Sequence, residues 1–219
     1  MKSGIRFRMG KHRFTVFCCL LCMSLTTGAG EVTGADASPW RMIADTPQGR
    51  LYHRDVQGSS LPEAMIVTRL NAPPARVHAL VTDYDRFAEF IPNVSESRVL
   101  RHEGSRQWVF HHLHFGGPVA DRVYVIESND VASPPPEHHY RVEWKLSDRH
   151  FPVLDRAAGV RPGAFSGFWD LRPLDGGTAT QAVYDVHSDP GGIIPDWLVT
   201  RMTDRYIQEV IMALRRRLQ

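Results

Sequence analysis

The side chains with the most evident chemical potential in this 219-residue chain are its 11 histidines. His112 and His114 stand two residues apart in an extended run, which places them on one face of a strand, and such a pair can supply two ligands to zinc. His111, His138 and His139 could lie nearby, but no third ligand follows at a fixed spacing. Solvated histidines on a strand are the ordinary explanation, so we predict that no metal is bound.

The sequence does not indicate a catalytic nucleophile. It has no Gly-x-Ser-x-Gly segment, no phosphate-binding glycine loop and no His-Glu-x-x-His helix, and Ser166 lies within a predicted strand. General acid–base catalysis would need only a few polar groups in a cavity, for which Arg122, Tyr140 and Tyr184 are candidates. Because nothing in the sequence shows that these three converge, we predict no catalytic residue and no cofactor.

Arg122 begins an extended run, and its side chain can be interpreted in two ways. A buried guanidinium must meet an anion or several acceptors, so an inward-facing Arg122 would anchor the head group of a ligand. The alternative is a salt bridge at the rim of the sheet with an acidic residue of a neighbouring strand. Asp121 is not that residue if the strand is regular, because its side chain points to the opposite face.

These residues belong to a long series of predicted strands and a few helices. Two early strands are predicted over 49–56 and 63–71, a helix begins at Pro74, and a short second helix ends before Pro92. Six further strands are separated by short turns, which favours an antiparallel meander; they cover 94–101, 106–115, 119–128, 138–147, 165–173 and 178–187.

The last predicted element is an amphipathic helix that begins at Pro195 and continues for about 23 residues. Its apolar residues recur at spacings of three and four: Trp197, Leu198, Met202, Tyr206, Val210, Ala213 and Leu214. Arg215 to Arg217 end the helix, where its dipole favours cations. These arginines are either a solvated terminus or a contact for anionic lipid head groups.

Alternation along three strands indicates which side chains face this helix. The candidates are Tyr140, Val142 and Trp144 on one strand, Trp169 on the next and Tyr184 on the last. With Arg122 and the helix residues Trp197, Leu198, Met202 and Tyr206, they form the predicted ligand-binding set. The alternative for each apolar member is ordinary core packing.

Residues 1–29 have the order of charged, apolar and small residues that is typical of a secretory signal peptide. Five basic residues precede the apolar run 14–25, and Ala29 is the first choice for cleavage, with 35–37 as a second. The alternative is an uncleaved anchor. We therefore expect an exported protein, periplasmic or secreted, with an N-terminal extension at 30–48 and one domain at 49–219.

Composition limits the partners of the mature domain. All three cysteines, Cys18, Cys19 and Cys22, lie in the predicted signal, so no disulfide is expected. Removing the five basic residues of the signal, which contains no acidic residue, leaves 21 basic and 24 acidic residues, a net charge of about −3. A mildly acidic surface argues against nucleic acid as a partner. We expect a monomer.

Four segments in this order resemble the START-like superfamily, which includes lipid-transfer domains, coenzyme Q-binding proteins and polyketide cyclases. They are DYDRFAEFIPNV, PVADRVYVIES, GFWDLRPLDGGTATQAVYDV and DPGGIIPDWLV, within about 49–218. The resemblance implies an α+β helix-grip fold, in which a curved antiparallel sheet wraps around a long C-terminal helix. Arg122 stands where that superfamily often has an arginine.

The resemblance also implies a cavity between sheet and helix that holds a hydrophobic small molecule, most naturally a lipid, with transient membrane contact during exchange. An enzyme of the cyclase or aromatase kind on the same fold is the main alternative, and an interaction module with a filled core is a third. Entry of the ligand requires movement, for which we predict a hinge at Gly191 and Gly192 and a lid at 152–164.

Overall fold

The computed structural model describes residues 38–116, 119–133 and 138–219. The predicted signal peptide lies outside these residues. Nine strands and three α-helices are present in the described part of the chain. The strands are β1 (Arg41–Thr46), β2 (Gly49–Arg54), β3 (Glu63–Leu70), β4 (Val94–Glu103), β5 (Arg106–Leu113), β6 (Arg122–Ser133), β7 (His139–Leu146), β8 (Ala164–Leu174) and β9 (Ala179–Asp189). The helices are α1 (Pro74–Val81), α2 (Val153–Arg156) and α3 (Asp196–Leu218), and a 3₁₀ helix covers Tyr84–Glu89.

The strands form one antiparallel sheet in the order β1-β2-β3-β9-β8-β7-β6-β5-β4. The chain makes two hairpins, crosses to the far edge through α1 and the 3₁₀ helix, and returns as a meander until β9 pairs with β3. The helix α3 packs against the concave face of this sheet. The predicted α+β helix-grip architecture is therefore confirmed.

The helix α3 supplies a row of buried side chains at spacings of three and four: Ile207, Val210, Ile211, Leu214 and Leu218. Two polar contacts fix it to the first hairpins. His53 Nε2 lies 2.6 Å from Asp204 Oδ1, and Arg215 donates to the Pro47 carbonyl at 2.7 Å and to Thr68 Oγ1 at 2.9 Å. The C-terminal half of α3 is thus held by both apolar and polar contacts.

The sheet begins earlier than the sequence predicts. Strand β1 lies in the segment 30–48, which was expected to be an extension outside the domain, and it pairs with β2. It is short, its pairing shifts between Met42 and Ala44, and Met42 and Ile43 are exposed, so it lacks the alternation that marks the other strands. Strand β6 is also displaced toward the C-terminus, to Arg122–Ser133 instead of 119–128.

The segment predicted as a lid has a different role. It contains α2, and Phe151, Val153, Leu154 and Ala157 pack on the convex face of the sheet. Beyond α2, Val160 exchanges backbone hydrogen bonds with Asp121 and Val123 at 2.8 and 3.2 Å. The lid hypothesis is therefore wrong for most of this segment, because its apolar side chains cover the face away from α3.

None of the helices in the described part of the chain is both long enough and apolar enough to cross a membrane.

Candidate functional site

Two adjacent cavities lie between the concave face of the sheet and α3. The first, here called the His111 cavity, has about 60 Å³ of space open to the centres of water molecules. Its walls are Val81, Tyr84, Phe87, Ile91, Val94, His111, Tyr124, Ile126, Trp144, Phe165, Trp169, Tyr184, Tyr206, Val210 and Leu214. The side chains that form these walls are mostly aromatic and aliphatic, as in sites for hydrophobic ligands.

The second cavity, here called the Arg122 cavity, has about 80 Å³ of such space. It lies nearer the N-terminal end of α3 and is lined by Leu113, Phe115, Arg122, Tyr124, Pro162, Phe165, Val186, Ser188, Pro190, Val199, Met202, Thr203 and Tyr206. Tyr124, Phe165 and Tyr206 line both cavities. These three rings therefore form a partition, and their movement would join the cavities into one longer space.

Neighbouring strands stack their aromatic rings on the concave face. Trp169 and Tyr184 are stacked with centroids 4.1 Å apart and an interplanar angle of 9°. Phe165 lies 5.2 Å from Tyr124 and 6.3 Å from Trp144 by ring centroid. Offset and tilted rings at these distances attract each other beyond simple burial, so the wall is a packed aromatic surface.

His111 is the most unusual member of this wall. It lies on β5 among the rings of Tyr84, Phe87 and Tyr124, at centroid distances of 6.2, 6.0 and 5.5 Å. Burial without a neighbouring acid lowers the pKa of His111 to about 3, because the charged imidazolium cannot be solvated there. The ring is therefore neutral at physiological pH.

The tyrosines of the wall are also neutral. Burial raises the pKa of Tyr84 to about 12, although its hydroxyl shares a hydrogen bond of 2.8 Å with Ser128 Oγ. Burial likewise raises the pKa of Tyr124, Tyr184 and Tyr206 above the ordinary value. The cavity thus offers hydroxyl groups but no phenolate.

Arg122 faces inward and meets several acceptors, so the alternative of a salt bridge at the rim of the sheet is wrong. It is 3% exposed, and its guanidinium donates to the carbonyls of Pro190 at 2.6 Å, Gly191 at 3.0 Å and Ala120. Burial lowers its pKa from the ordinary arginine value. The several acceptors that a buried guanidinium requires are backbone carbonyls, so Arg122 ties the loop before α3 to β6.

The structure brings six of the ten predicted site residues to the cavities. Trp144, Trp169 and Tyr184 line the His111 cavity, Arg122 and Met202 line the Arg122 cavity, and Tyr206 lines both. The other four lie elsewhere. Tyr140 stacks on His78 of α1 at 4.5 Å, Val142 is core, Leu198 is half-buried outside both linings, and Trp197 is 67% exposed.

The sequence interpretation missed His111, Tyr124 and Phe165. The same alternation that identified β7 was present in β5 and β6, where His111 shares a face with Val109 and Leu113, and Tyr124 with Ile126. The two histidines considered as zinc ligands, His112 and His114, both contact the carboxylate of Asp121. Asp121 Oδ2 lies 2.8 Å from His112 Nε2, and Asp121 Oδ1 lies 2.9 Å from His114 Nδ1. Within the described ranges, no three His, Cys, Asp or Glu side chains are arranged to hold a metal ion.

Comparison with known proteins agrees with this geometry. Residues 70–215 match the model of the family described as polyketide cyclase / dehydrase and lipid transport. The chain belongs to this family. The family includes both lipid-transport proteins and cyclases, and its fold is the START-like helix grip predicted from the sequence.

Individual relatives are moderately similar. The uncharacterized protein PA1579 of Pseudomonas aeruginosa is 28% identical over 171 residues, which cover 77% of this chain and 81% of that protein. A STAR-related lipid transfer protein fragment from Xanthomonas axonopodis is 25% identical with a TM-score of 0.71, covering 82% of this chain and 98% of the fragment. The lipid transfer and protein localization domain of human StarD13 has the same TM-score at 17% identity, covering 83% and 90%.

Proposed function

We propose that this protein binds one hydrophobic molecule, a lipid, between the concave face of its sheet and α3, and carries it by sequestration. The observation that supports this most directly is the His111 cavity, whose lining contains no Lys, Arg, Asp or Glu. Burying apolar surface there supplies affinity at about 25 cal/mol per Å². The similarity to the Xanthomonas lipid transfer protein fragment points the same way.

Ligand entry requires movement, because the space open to the centres of water molecules is only about 60 Å³ in one cavity and about 80 Å³ in the other. The hinge that we propose is Gly191 and Gly192, whose φ angles are +66° and +81°. Arg122 holds this loop through the carbonyls of Pro190 and Gly191. Breaking these bonds would release the N-terminal end of α3 and open the Arg122 cavity.

The enzyme alternative has less support from the site. General acid–base catalysis at neutral pH works best with a group whose pKa is near 7. In the His111 cavity burial lowers the pKa of the histidine to about 3 and raises those of the four tyrosines. The cavity therefore favours binding over proton transfer.

Mass spectrometry of the purified protein tests the carrier proposal. The full chain is expressed with its N-terminal segment, and the recovered protein is compared under native and denaturing conditions. We expect a stoichiometric co-purifying lipid, which Met202→Glu abolishes because the new carboxylate lies in the wall of the Arg122 cavity. Met212→Glu is the matched control, since Met212 is half-buried on the same helix but lines neither cavity. A wild-type protein that contains no lipid and takes up none from a lipid panel contradicts the proposal.

We also propose that the protein is exported and acts as a monomer. The intact mass of the recovered protein distinguishes cleavage after Ala29, cleavage near 35–37 and an uncleaved chain. Cell fractionation and light scattering check the compartment and the oligomeric state. A full-length cytoplasmic product would contradict export.

Any transient contact with a membrane is better placed at the N-terminal end of α3 than at its arginines. Arg215 is bound to Pro47 and Thr68, and Arg217 pairs with Glu89, so two of the three arginines already have partners. At the other end Ile193 and Trp197 are exposed beside the Arg122 cavity. Replacing both with serine should slow lipid transfer between vesicles without changing the amount of lipid bound; unchanged transfer would contradict this placement.

A further inference from the structure

The polar groups of the His111 cavity suggest what kind of ligand it selects. Its lining has no charged side chain, yet it is not wholly apolar, because it includes His111, Trp144 and four tyrosines. A purely hydrocarbon ligand would offer these groups no hydrogen-bond partner. The cavity is therefore built for a molecule with both apolar surface and a polar atom.

Two of these groups lack hydrogen-bond partners. Among the described residues, His111 Nδ1 and Trp144 Nε1 are buried and unpaired, in side chains that are 5% and 8% exposed. Ser97, which pairs directly with His111 across β4 and β5, has an unpaired Oγ as well. Buried polar groups are almost always satisfied in native proteins, so unpaired atoms in side chains that line a cavity mark a place where a ligand can supply the partner.

The charge of these groups restricts the ligand further. His111 remains neutral because burial lowers its pKa to about 3, and the indole N–H of Trp144 carries no charge at any pH. An anionic or cationic head group in this cavity would be taken out of water without a counter-charge, which is strongly unfavourable. A hydroxyl or carbonyl oxygen can accept from the indole N–H at little cost. A hydroxyl can also bond to either tautomer of a neutral imidazole, whereas a carbonyl can only accept from the tautomer that carries the proton on Nδ1.

The neighbouring cation does not change this conclusion. Arg122 lines the other cavity, and three backbone carbonyls already accept hydrogen bonds from it. These bonds hold the loop before α3, and the charge of Arg122 belongs to the lining of the Arg122 cavity and not to that of the His111 cavity. The His111 cavity therefore presents no charged side chain to a ligand.

We propose that the ligand is an uncharged hydrophobic molecule with hydroxyl or carbonyl oxygens, and that His111 and Trp144 each recognise such an oxygen. This inference rests on the proposed carrier function. It names the chemical class of the ligand and assigns polar recognition to two side chains, on β5 and β7, that both line the His111 cavity.

Three small fluorescent probes of similar shape separate apolar binding from polar recognition: naphthalene, 2-naphthol and 2-naphthoate. The full chain is stripped of co-purified lipid and titrated at neutral pH, where 2-naphthol is uncharged and 2-naphthoate is an anion. We expect 2-naphthol to bind about three- to tenfold more tightly than naphthalene, the effect of one hydrogen bond to a buried group. We expect 2-naphthoate to bind at least about tenfold more weakly than 2-naphthol.

Substitutions assign the effect to the two residues. His111→Phe and Trp144→Phe each remove a polar atom and keep an aromatic ring, so they should reduce the advantage of 2-naphthol over naphthalene and leave naphthalene binding unchanged. Trp108→Phe is the matched control, because Trp108 Nε1 is also buried and unpaired but lies on the convex face. A second readout is the indole N–H resonance of Trp144, assigned by its loss in Trp144→Phe, which should shift downfield with 2-naphthol and not with naphthalene.

The outcomes distinguish this inference from the proposed function. Binding of naphthalene and 2-naphthol with equal affinity, tighter binding of 2-naphthoate, or a 2-naphthol advantage that survives both substitutions would overturn the inference and leave the carrier function standing. Failure of all three probes to bind, together with an empty purified protein, would instead overturn the carrier function itself.

Discussion

The two faces of the sheet bury polar groups in different ways. On the concave face, His111 and Trp144 are neutral, unpaired and next to a cavity. On the convex face, Asp185 is 1% exposed, its oxygens are unpaired within the described residues, and its neighbours are charged. Burial and the adjacent Glu63 carboxyl raise its pKa to about 8. We propose that a ligand supplies the partner of the concave groups, whereas Asp185 is satisfied by retaining a proton.

The surroundings of Asp185 show why a ligand cannot satisfy it. Arg54 pairs with Glu63, and its guanidinium stacks over Trp40 at 4.5 Å from the ring centroid. Neither of the two cavities includes Asp185 in its lining. A buried polar group therefore indicates a binding site only when it also borders empty space, and this criterion selects the concave face.

The largest expected effect compares adjacent residues on the two faces of β8. Trp169 is buried and stacked on Tyr184, whereas Phe168 is half-buried beneath Arg141 at 4.0 Å. Trp169→Ala should lower the free energy of unfolding by about 3–5 kcal/mol, because it leaves a void in a packed aromatic wall. Phe168→Ala should cost about 1 kcal/mol. Urea unfolding measures both, and equal losses would show that the faces do not differ in packing.

The second expected effect is pH-dependent and lies on the convex face. The folded protein holds a proton on Asp185 up to about pH 8, whereas the unfolded chain releases it near the ordinary value of 3.8. Between these values the folded state binds more protons, so this group makes stability fall as the pH rises. Asp185→Asn should remove that decline and exceed the stability of the wild type at about pH 8 by more than ~1 kcal/mol. Thermal unfolding across this range checks the result.

Asp170 provides the control for Asp185. It is also buried on β8, but its hydrogen bonds with Arg172 and His139 outweigh the effect of burial and lower its pKa. Asp170→Asn should therefore destabilise the protein at neutral pH, opposite in sign to Asp185→Asn. Two changes of the same sign would mean that burial alone, rather than the charge of the neighbours, decides the effect.

The third expected effect is at acid pH and lies on the concave face. Because burial lowers the pKa of His111 from 6.5 to about 3, the unfolded chain binds more protons between these values and stability falls as the pH is lowered through them. His111→Phe should flatten this acid limb and be more stable than the wild type near pH 4, by more than ~1 kcal/mol. His102→Phe, at an exposed position on β4, should leave the limb unchanged. An unaltered acid limb in His111→Phe would show that His111 is solvated.

Most of the fold could be predicted because turn residues separate strongly alternating strands. The exceptions have local causes. Strand β1 is held by pairing with β2 and leaves Met42 and Ile43 exposed, so its sequence contains little sign of a buried face. Helix α2 has only four residues, which is too short for a helical pattern to be recognised within the predicted loop. The apolar side chains around it cover the convex face of the sheet and not the two cavities.

The site could be predicted only as far as strand alternation reaches. Alternation placed Trp144, Trp169 and Tyr184 on the correct face, but it also selected Tyr140 and Val142, which α1 and the core cover. The spacing of apolar residues shows which side of α3 faces the sheet, but it does not show how far along the helix the sheet extends. Trp197 therefore belongs to the apolar side of α3 and is nevertheless exposed to solvent. Arg122 was correctly expected to need several acceptors, yet its carbonyl partners come from residues 68 and 69 positions away, which no local pattern indicates.

The pairing of β3 with β9 also has a consequence for the order of folding. Thr180 Oγ1 donates to the Ala72 carbonyl, a contact between residues 108 positions apart, and every pair between these two strands is similarly remote. Long-range strand pairing of this kind slows folding, because the conformational entropy of a large loop is lost before any stabilising contact between the two strands forms. A chain still leaving the ribosome cannot close this sheet before β9 has been made, and β9 follows the other eight described strands. Until β9 emerges, the first three strands can pair only with each other, and the nascent chain remains accessible to the factors that handle unfolded proteins.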